Sequence, residues 1–244
     1  MDDYLGHTLF QHIDQAKKVG LDAIAVTWHR KICAVPEAFE YARQRNVLLI
    51  PGMEADVDGR HHLVVLNVAE DDLPPEPTWS QIRALRARKP EVLVMAPHPF
   101  YPHPSCLGKI MNEHPDCIDA VEWCIMHVQW LPGRVNPNLR AARWAHQHGK
   151  TLIACSDAHT LDSIGKNAST VEADELTIDS IFNGIRAGRV SFHRRSLEFG
   201  PLVYQTGKAL TSQPRHIGRW VTAKLKGSRT YPATRSASRA EAAP

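Results

Sequence analysis

Leu9, Phe10, Ile13, Ala16 and Val19 recur at helical spacing and stop at Gly20, after which DAIAVT is a short apolar run rich in branched residues. The pattern predicts a helix followed by a buried strand. It then repeats: Pro36 to Arg45 reads as helix, VLLIPGME and HLVVLNV as strands, and Trp79 to Arg88 as helix. EVLVMAPHPF and IDAVEW read as strands, 138 to 148 as helix, TLIACS and ASTVEA as strands, 177 to 187 as helix and VSFH as a last short strand.

Continuous apolar strands separated by amphipathic helices are the mark of a parallel sheet covered on its outer face, and seven or so such strands suggest a closed or nearly closed barrel. In such a barrel the chemistry sits at the C-terminal ends of the strands. From about Gly207 the pattern fades. PRHIGRWVTAKLKG has the composition of a basic amphipathic helix, and SRTYPATRSASRAEAAP is rich in Ser, Ala, Arg and Pro, as disordered segments are. The expected organisation is one domain over 1–207 and a basic tail over 208–244, with no internal repeats.

Composition narrows the class. A chain of 244 residues suffices for one sizeable core, and its 43% hydrophobic and 23% charged residues are those of a soluble globular protein. No apolar run approaches the roughly 20 residues that span a bilayer. MDDYLGHTLF has neither the basic nor the apolar region of a secretory signal, so a cytoplasmic location is expected. The five cysteines are scattered and odd in number, which argues against a disulfide framework or a thiolate zinc site.

Net charge is +3, but residues 208–244 hold eight Lys or Arg against one acid, leaving 21 basic and 25 acidic groups before them. The tail is read as a solvated extension; its positive charge would also be attracted to nucleic acid.

The 14 histidines matter through where they fall. His29 follows AIAVTW, Glu54 follows LLIPGM, His62 opens LVVLN, His98 follows VLVMAP, and Asp157 and His159 follow TLIACS. Carboxylates mixed with imidazoles suit zinc, manganese or iron ions, and several together where carboxylates bridge them. Asp157 and His159 are two residues apart, so on an extended backbone both point to one side. His103 and His114 in loops, and His7, His12, His146 and His148 on helix faces or ends, read as solvated or packed.

SDAH behind an apolar strand, GME about a hundred residues earlier, AIAVTWH after AKKVGLD, and APHP between them resemble the PHP family, named for the polymerase and histidinol phosphatase domains. The resemblance covers roughly residues 2–195. It implies an α/β fold of the distorted (β/α)7 TIM-like barrel type, holding two or three divalent ions (manganese, zinc or iron) and hydrolysing phosphoesters. The implied metal ligands are Asp2, His29, Glu54, His62, His98, Asp157 and His159, with Glu54, His98 and Asp157 catalytic and Arg194 and Arg195 on the substrate phosphate. The implied substrate is a phosphorylated small molecule, a nucleotide or a short oligonucleotide.

The chain departs from the family pattern in three places. The opening HxH is absent, with Asp2 aligned to the aspartate that follows it. Trp28 stands where the family has Asp before its histidine, and Arg30 where Asp or Asn comes after. The expectation is therefore a barrel lacking its first strand, with the natural start upstream of Met1. Two competing readings are a degenerate barrel with a structural or regulatory role and, less favoured, an amidohydrolase, whose carboxylated lysine has no counterpart on any strand here.

Overall fold

The structure is a computed structural model that describes residues 7–125 and 135–192. Asp2, Arg194, Arg195 and the tail over 208–244 lie outside the described residues.

The order of elements follows the hydrophobic pattern closely: α1 (Leu9–Lys18), β1 (Ala23–His29), α2 (Pro36–Gln44), β2 (Leu48–Val57), β3 (His61–Leu66), α3 (Trp79–Arg88), β4 (Leu93–Ala96), β5 (Ala120–Cys124), α4 (Pro137–Gln147), β6 (Thr151–Cys155), β7 (Ser169–Val171), α5 (Ile178–Arg186) and β8 (Val190–Phe192). Two helices start on the same device. Thr8 and Thr78 each accept from the backbone N–H three residues on, and Gln11 and Gln81 reach back to the cap residue's own N–H. These reciprocal bonds satisfy donors that a helix start otherwise leaves orphaned.

Strands β1 to β6 form one sheet in sequence order, curled into a half-barrel. The sheet is mixed, which corrects the expectation of a parallel one: β3 runs antiparallel to both β2 and β4, while β1–β2, β4–β5 and β5–β6 are parallel. The cause is local. Asp58 and Gly59 adopt positive φ of 53° and 69° and turn the chain tightly from β2 into β3, leaving no room for a crossover helix.

The predicted seventh strand also departs from expectation, because β7 pairs only with β8. The Ser169 hydroxyl accepts from the Ala154 N–H at 2.8 Å and donates to the Ala154 carbonyl at 3.1 Å. Asn167 donates to the Cys155 carbonyl at 3.0 Å. Side chains thus take up edge groups of β6 that another strand would use.

Alternation along each strand divides the core. Met53, Ala55, Leu63, Val65, Val94 and Val121 face outward and bury against Ile82 and Leu85 of α3 and Ala141 and Trp144 of α4. Ile50, Val64, Leu66, Leu93, Met95 and Ala120 face inward, where Phe182 and Ile185 of α5 pack against them. The inner face therefore has an apolar floor, and what stands at its far rim continues the same inward-facing rows: Glu54 beyond Ile50, His62 beside Val64, Glu122 beyond Ala120.

Candidate metal centre

Each rim residue is brought in by strand register. His29 at the end of β1 is paired with Glu54 on β2, and His62 on β3 is paired with Asp56. His62 lies at the start of its strand while His29 closes β1 and Glu54 lies in the second half of β2, yet they share one end of the sheet because β3 runs the opposite way. The antiparallel hairpin that breaks the expected topology is what delivers His62 to the site.

The His29 Nδ1 stands 3.4 Å from Glu54 Oε2, His62 Nδ1 2.7 Å from Glu54 Oε1, and His98 Nε2 3.4 Å from the same Oε1. The rings of His29 and His62 are 5.0 Å apart, and those of His62 and His98 5.4 Å. Ligand atoms of His29, Glu54 and His62 all lie within 4.8 Å of one another, so these three can hold a metal ion. Glu54 is 6% exposed.

The contact between Glu54 and His62 is informative because it is short but misaligned. At 2.7 Å the two atoms are within hydrogen-bonding distance, yet among the described residues Glu54 Oε1 and His62 Nδ1 are both buried without a hydrogen bond. Buried polar atoms are rarely left so. A cation accepting a lone pair from each would satisfy both, and the donor set of two imidazoles and one carboxylate suits zinc, manganese or iron.

Electrostatics follow from the crowding. Burial alone would raise the Glu54 carboxyl, but the His62 and His98 imidazoles outweigh it and hold the group well below the usual carboxylate range. Burial opposes charge on His98 too, yet Cys106 and Glu54 raise it well above the ordinary imidazole value.

His98 is fixed from several sides. Its Nδ1 lies 3.3 Å from the Cys106 sulfur, its backbone N–H donates to Glu122 Oε2 at 2.6 Å, and its φ is 30°. Arg30 and Asp157 are also at positive φ, 56° and 44°. Three of the six described non-glycine residues in that region thus sit around the site, each costing on the order of 1–3 kcal/mol, and such strain clusters where function needs a fixed geometry.

Asp157 and His159 meet at 3.4 Å on the exposed rim. The pairing does not come from two-residue alternation as expected, because the positive φ of Asp157 ends the extended backbone there. The chain instead turns, and Ala158, Leu161 and Ile164 pack onto the layer formed by α1, β1 and α2. Asp157 and His159 line a cavity of about 1370 Å³ with His29, Glu54 and Glu122.

The Trp28 departure has a packing explanation. Its side chain joins the α1–α2 layer and lies under the Lys31 ammonium, 5.5 Å from the ring centroid, while His29 lies against Glu54. Arg30 donates its backbone N–H to the Glu54 carbonyl at 2.8 Å and holds its guanidinium 3.9 Å from Asp56.

Two acids at the site are absent from the sequence reading. Asp56 Oδ1 lies 3.6 Å from His62 Nε2, and its signal is the two-residue step from Glu54, which puts both carboxylates on one face of β2. Glu122 lies inside the apolar run of β5 and is 1% exposed, with its carboxyl pushed up to about 8 by burial and then by the nearby Asp157. Of the histidines read as solvated or packed, His114 stacks on Trp79 and His148 on Trp144, each at 4.2 Å, and His146 is exposed.

Residues 135–190 match the family described as PHP-associated. No curated protein matches the chain. Among solved structures, a two-domain protein from Bacteroides vulgatus containing a predicted PHP-like metal-dependent phosphoesterase is similar at TM-score 0.58 and 18% identity, over 76% of this chain and 59% of that one. The chain thus spans less than two thirds of that relative. PsfC from Pseudomonas syringae is similar at TM-score 0.55 and 19% identity, over 83% of this chain and 88% of that one. The lesion-specific endonuclease EndoQ from Pyrococcus furiosus is similar at TM-score 0.52 and 15% identity, over 76% and 52%.

At these identities the likenesses establish the fold. The match over 135–190 is to a PHP-associated family and takes in SDAH, in line with the resemblance read from the sequence.

Proposed function

We propose that the protein is a metal-dependent hydrolase of phosphoesters, built on a PHP barrel. The observation that carries this reading is the buried meeting of Glu54 with His29 and His62, whose ligand atoms converge within 4.8 Å while two of them have no hydrogen bond. Similarity to a PHP-like metal-dependent phosphoesterase and to EndoQ supports it.

In this reading His29, Glu54, His62 and His98 would hold divalent ions together with Asp157 and His159, with Asp2 completing the set. Bound divalent ions supply a water acidic enough to attack at neutral pH and neutralise charge on the phosphate oxygens. The chain's own part is placement. Glu54 would hold ions through both oxygens, Oε2 facing His29 and Oε1 facing His62 and His98. Cys106 orients the His98 ring through Nδ1, leaving Nε2 turned to Glu54. Arg194 or Arg195 meets the substrate phosphate, a role suited to the forked guanidinium.

The substrate is a phosphorylated small molecule, a nucleotide or an oligonucleotide. The +7 tail would add affinity for nucleic acid that falls with salt. Purified full-length protein, treated with chelator and then given Mn2+, is tested on a panel of phosphomonoesters and phosphodiesters. Activity that disappears with chelation and returns with metal is expected. A folded chain that is inactive on every member and carries no metal would instead make it a structural or regulatory barrel.

A further inference from the structure

Glu122 belongs to no element of the sequence pattern that points to the metal centre, yet it is among the most deeply buried side chains of the described residues, at 1% exposure. Its two oxygens have different surroundings. Oε2 accepts the His98 backbone N–H at 2.6 Å, while Oε1 is buried without a hydrogen-bond partner among the described residues. The residue lines the same cavity as Glu54 and Asp157.

Holding a backbone N–H does not need a carboxylate. One strand end away, Asn138 does a comparable task with a neutral amide, accepting from the Cys124 N–H at 3.0 Å and donating to the Cys124 carbonyl at 2.7 Å, so both its ends are satisfied. Glu122 instead leaves its second oxygen without a partner among the described residues, which is rare for a buried polar atom. A cation is the partner that makes an orphaned, buried carboxylate favourable.

We infer that Glu122 is a further carboxylate of the metal centre, positioning His98 through one oxygen and setting the charge of the other against the bound cations. This rests on the reading of the site as a metal centre. It accounts for the paired features at His98, a left-handed φ of 30° and a short bond from the same residue's N–H, since a carboxylate anchored on β5 can hold that turn in place.

The test is Mn2+ titration of the full chain by calorimetry, for wild type and Glu122→Gln, with melting of the metal-free proteins alongside. Glu122→Gln keeps the shape and an acceptor for the His98 N–H, so its metal-free melting temperature is expected to match wild type while its Mn2+ affinity drops about 10- to 100-fold, the usual effect of losing a group that supports metal ligands. Equal Mn2+ affinity in the two proteins would overturn the inference. If wild type itself takes no Mn2+, the metal reading fails first and takes this inference with it. If Glu122→Gln does not fold, the visible absorption of the Co2+-loaded Glu122→Asp protein decides: bands displaced from wild type support a role at the cation, and superimposable bands assign Glu122 to the fold alone.

Discussion

Gly52→Ala is expected to loosen the centre without touching any residue of it. Gly52 lies two positions before Glu54 on the inner face of β2, opposite Leu66 of β3. A Cβ there would stand 2.6 Å from Leu66 Cδ2, 3.0 Å from the Val65 carbonyl oxygen and 3.2 Å from Thr27 Cγ2. The first of these is about an ångström inside ordinary carbon–carbon contact. Leu66 is 7% exposed and wedged among Ile50, Val64, Leu93 and Phe182, so its methyl cannot swing aside freely. The carbonyl is fixed backbone.

Overpacking of this kind costs about 1–3 kcal/mol. For a domain of this size each kilocalorie lowers the melting temperature by about 2–4 °C, so a drop of about 2–12 °C is expected. The added strain separates β2 from β3, the two strands that carry Glu54 and His62, so Mn2+ affinity should fall as well. Differential scanning calorimetry and Mn2+ titration measure the two effects. A variant that melts with wild type and binds Mn2+ equally well would refute the claim that the tight β2–β3 approach positions the centre.

Two further predictions concern stability alone. Arg86 grips both oxygens of Asp119, which is 8% exposed, also accepts the Val94 N–H and has Arg186 Nε 3.8 Å away; Arg86→Ala leaves that carboxylate only the longer Arg186 contact and should cost about 3 kcal/mol in urea denaturation, whereas a loss below about 1 kcal/mol would mean the pair is merely a surface contact. His12 is pushed down to about 4 by burial and then by His7, whose ring centroid lies 4.3 Å away. With its folded value below the unfolded one, the unfolded chain binds the extra proton between about pH 6.5 and 4, so stability present above that window is lost as pH falls through it. His12→Phe should flatten the dependence of the urea midpoint over that range, and an unchanged slope would contradict the assignment.

Helices and strands were legible in the sequence because apolar spacing of 3.6 and 2 is imposed by the faces that must be buried, and Leu9 to Val19 or Leu152 to Ala154 carry little else. The meeting of His29, Glu54 and His98 was legible for a related reason: each ends an apolar run, where a polar group has no use in the core. Strand direction was harder to read, since Asp58–Gly59 resembles any loop until the hairpin is formed, and the position of His62 depends on it. The edge of β6 was not legible either, because the bonds from Ser169 to Ala154 connect residues 15 apart. Glu122 escaped because a single acid inside IDAVEW reads as the polar face of a half-buried strand, and only the three-dimensional sheet puts both faces of β5 out of solvent.

The most direct test of the account is the Mn2+ content of the full-length protein compared with that of Glu54→Gln, measured after equilibration with Mn2+ and gel filtration, with circular dichroism to establish that both are folded. Among the described residues Glu54 faces His29, His62 and His98 at once. The account predicts at least one tightly held ion per wild-type chain and phosphoesterase activity that follows it, with both lost in a folded Glu54→Gln protein. A folded wild-type chain without bound ion, or a Glu54→Gln protein that keeps metal and activity at the wild-type level, would contradict it.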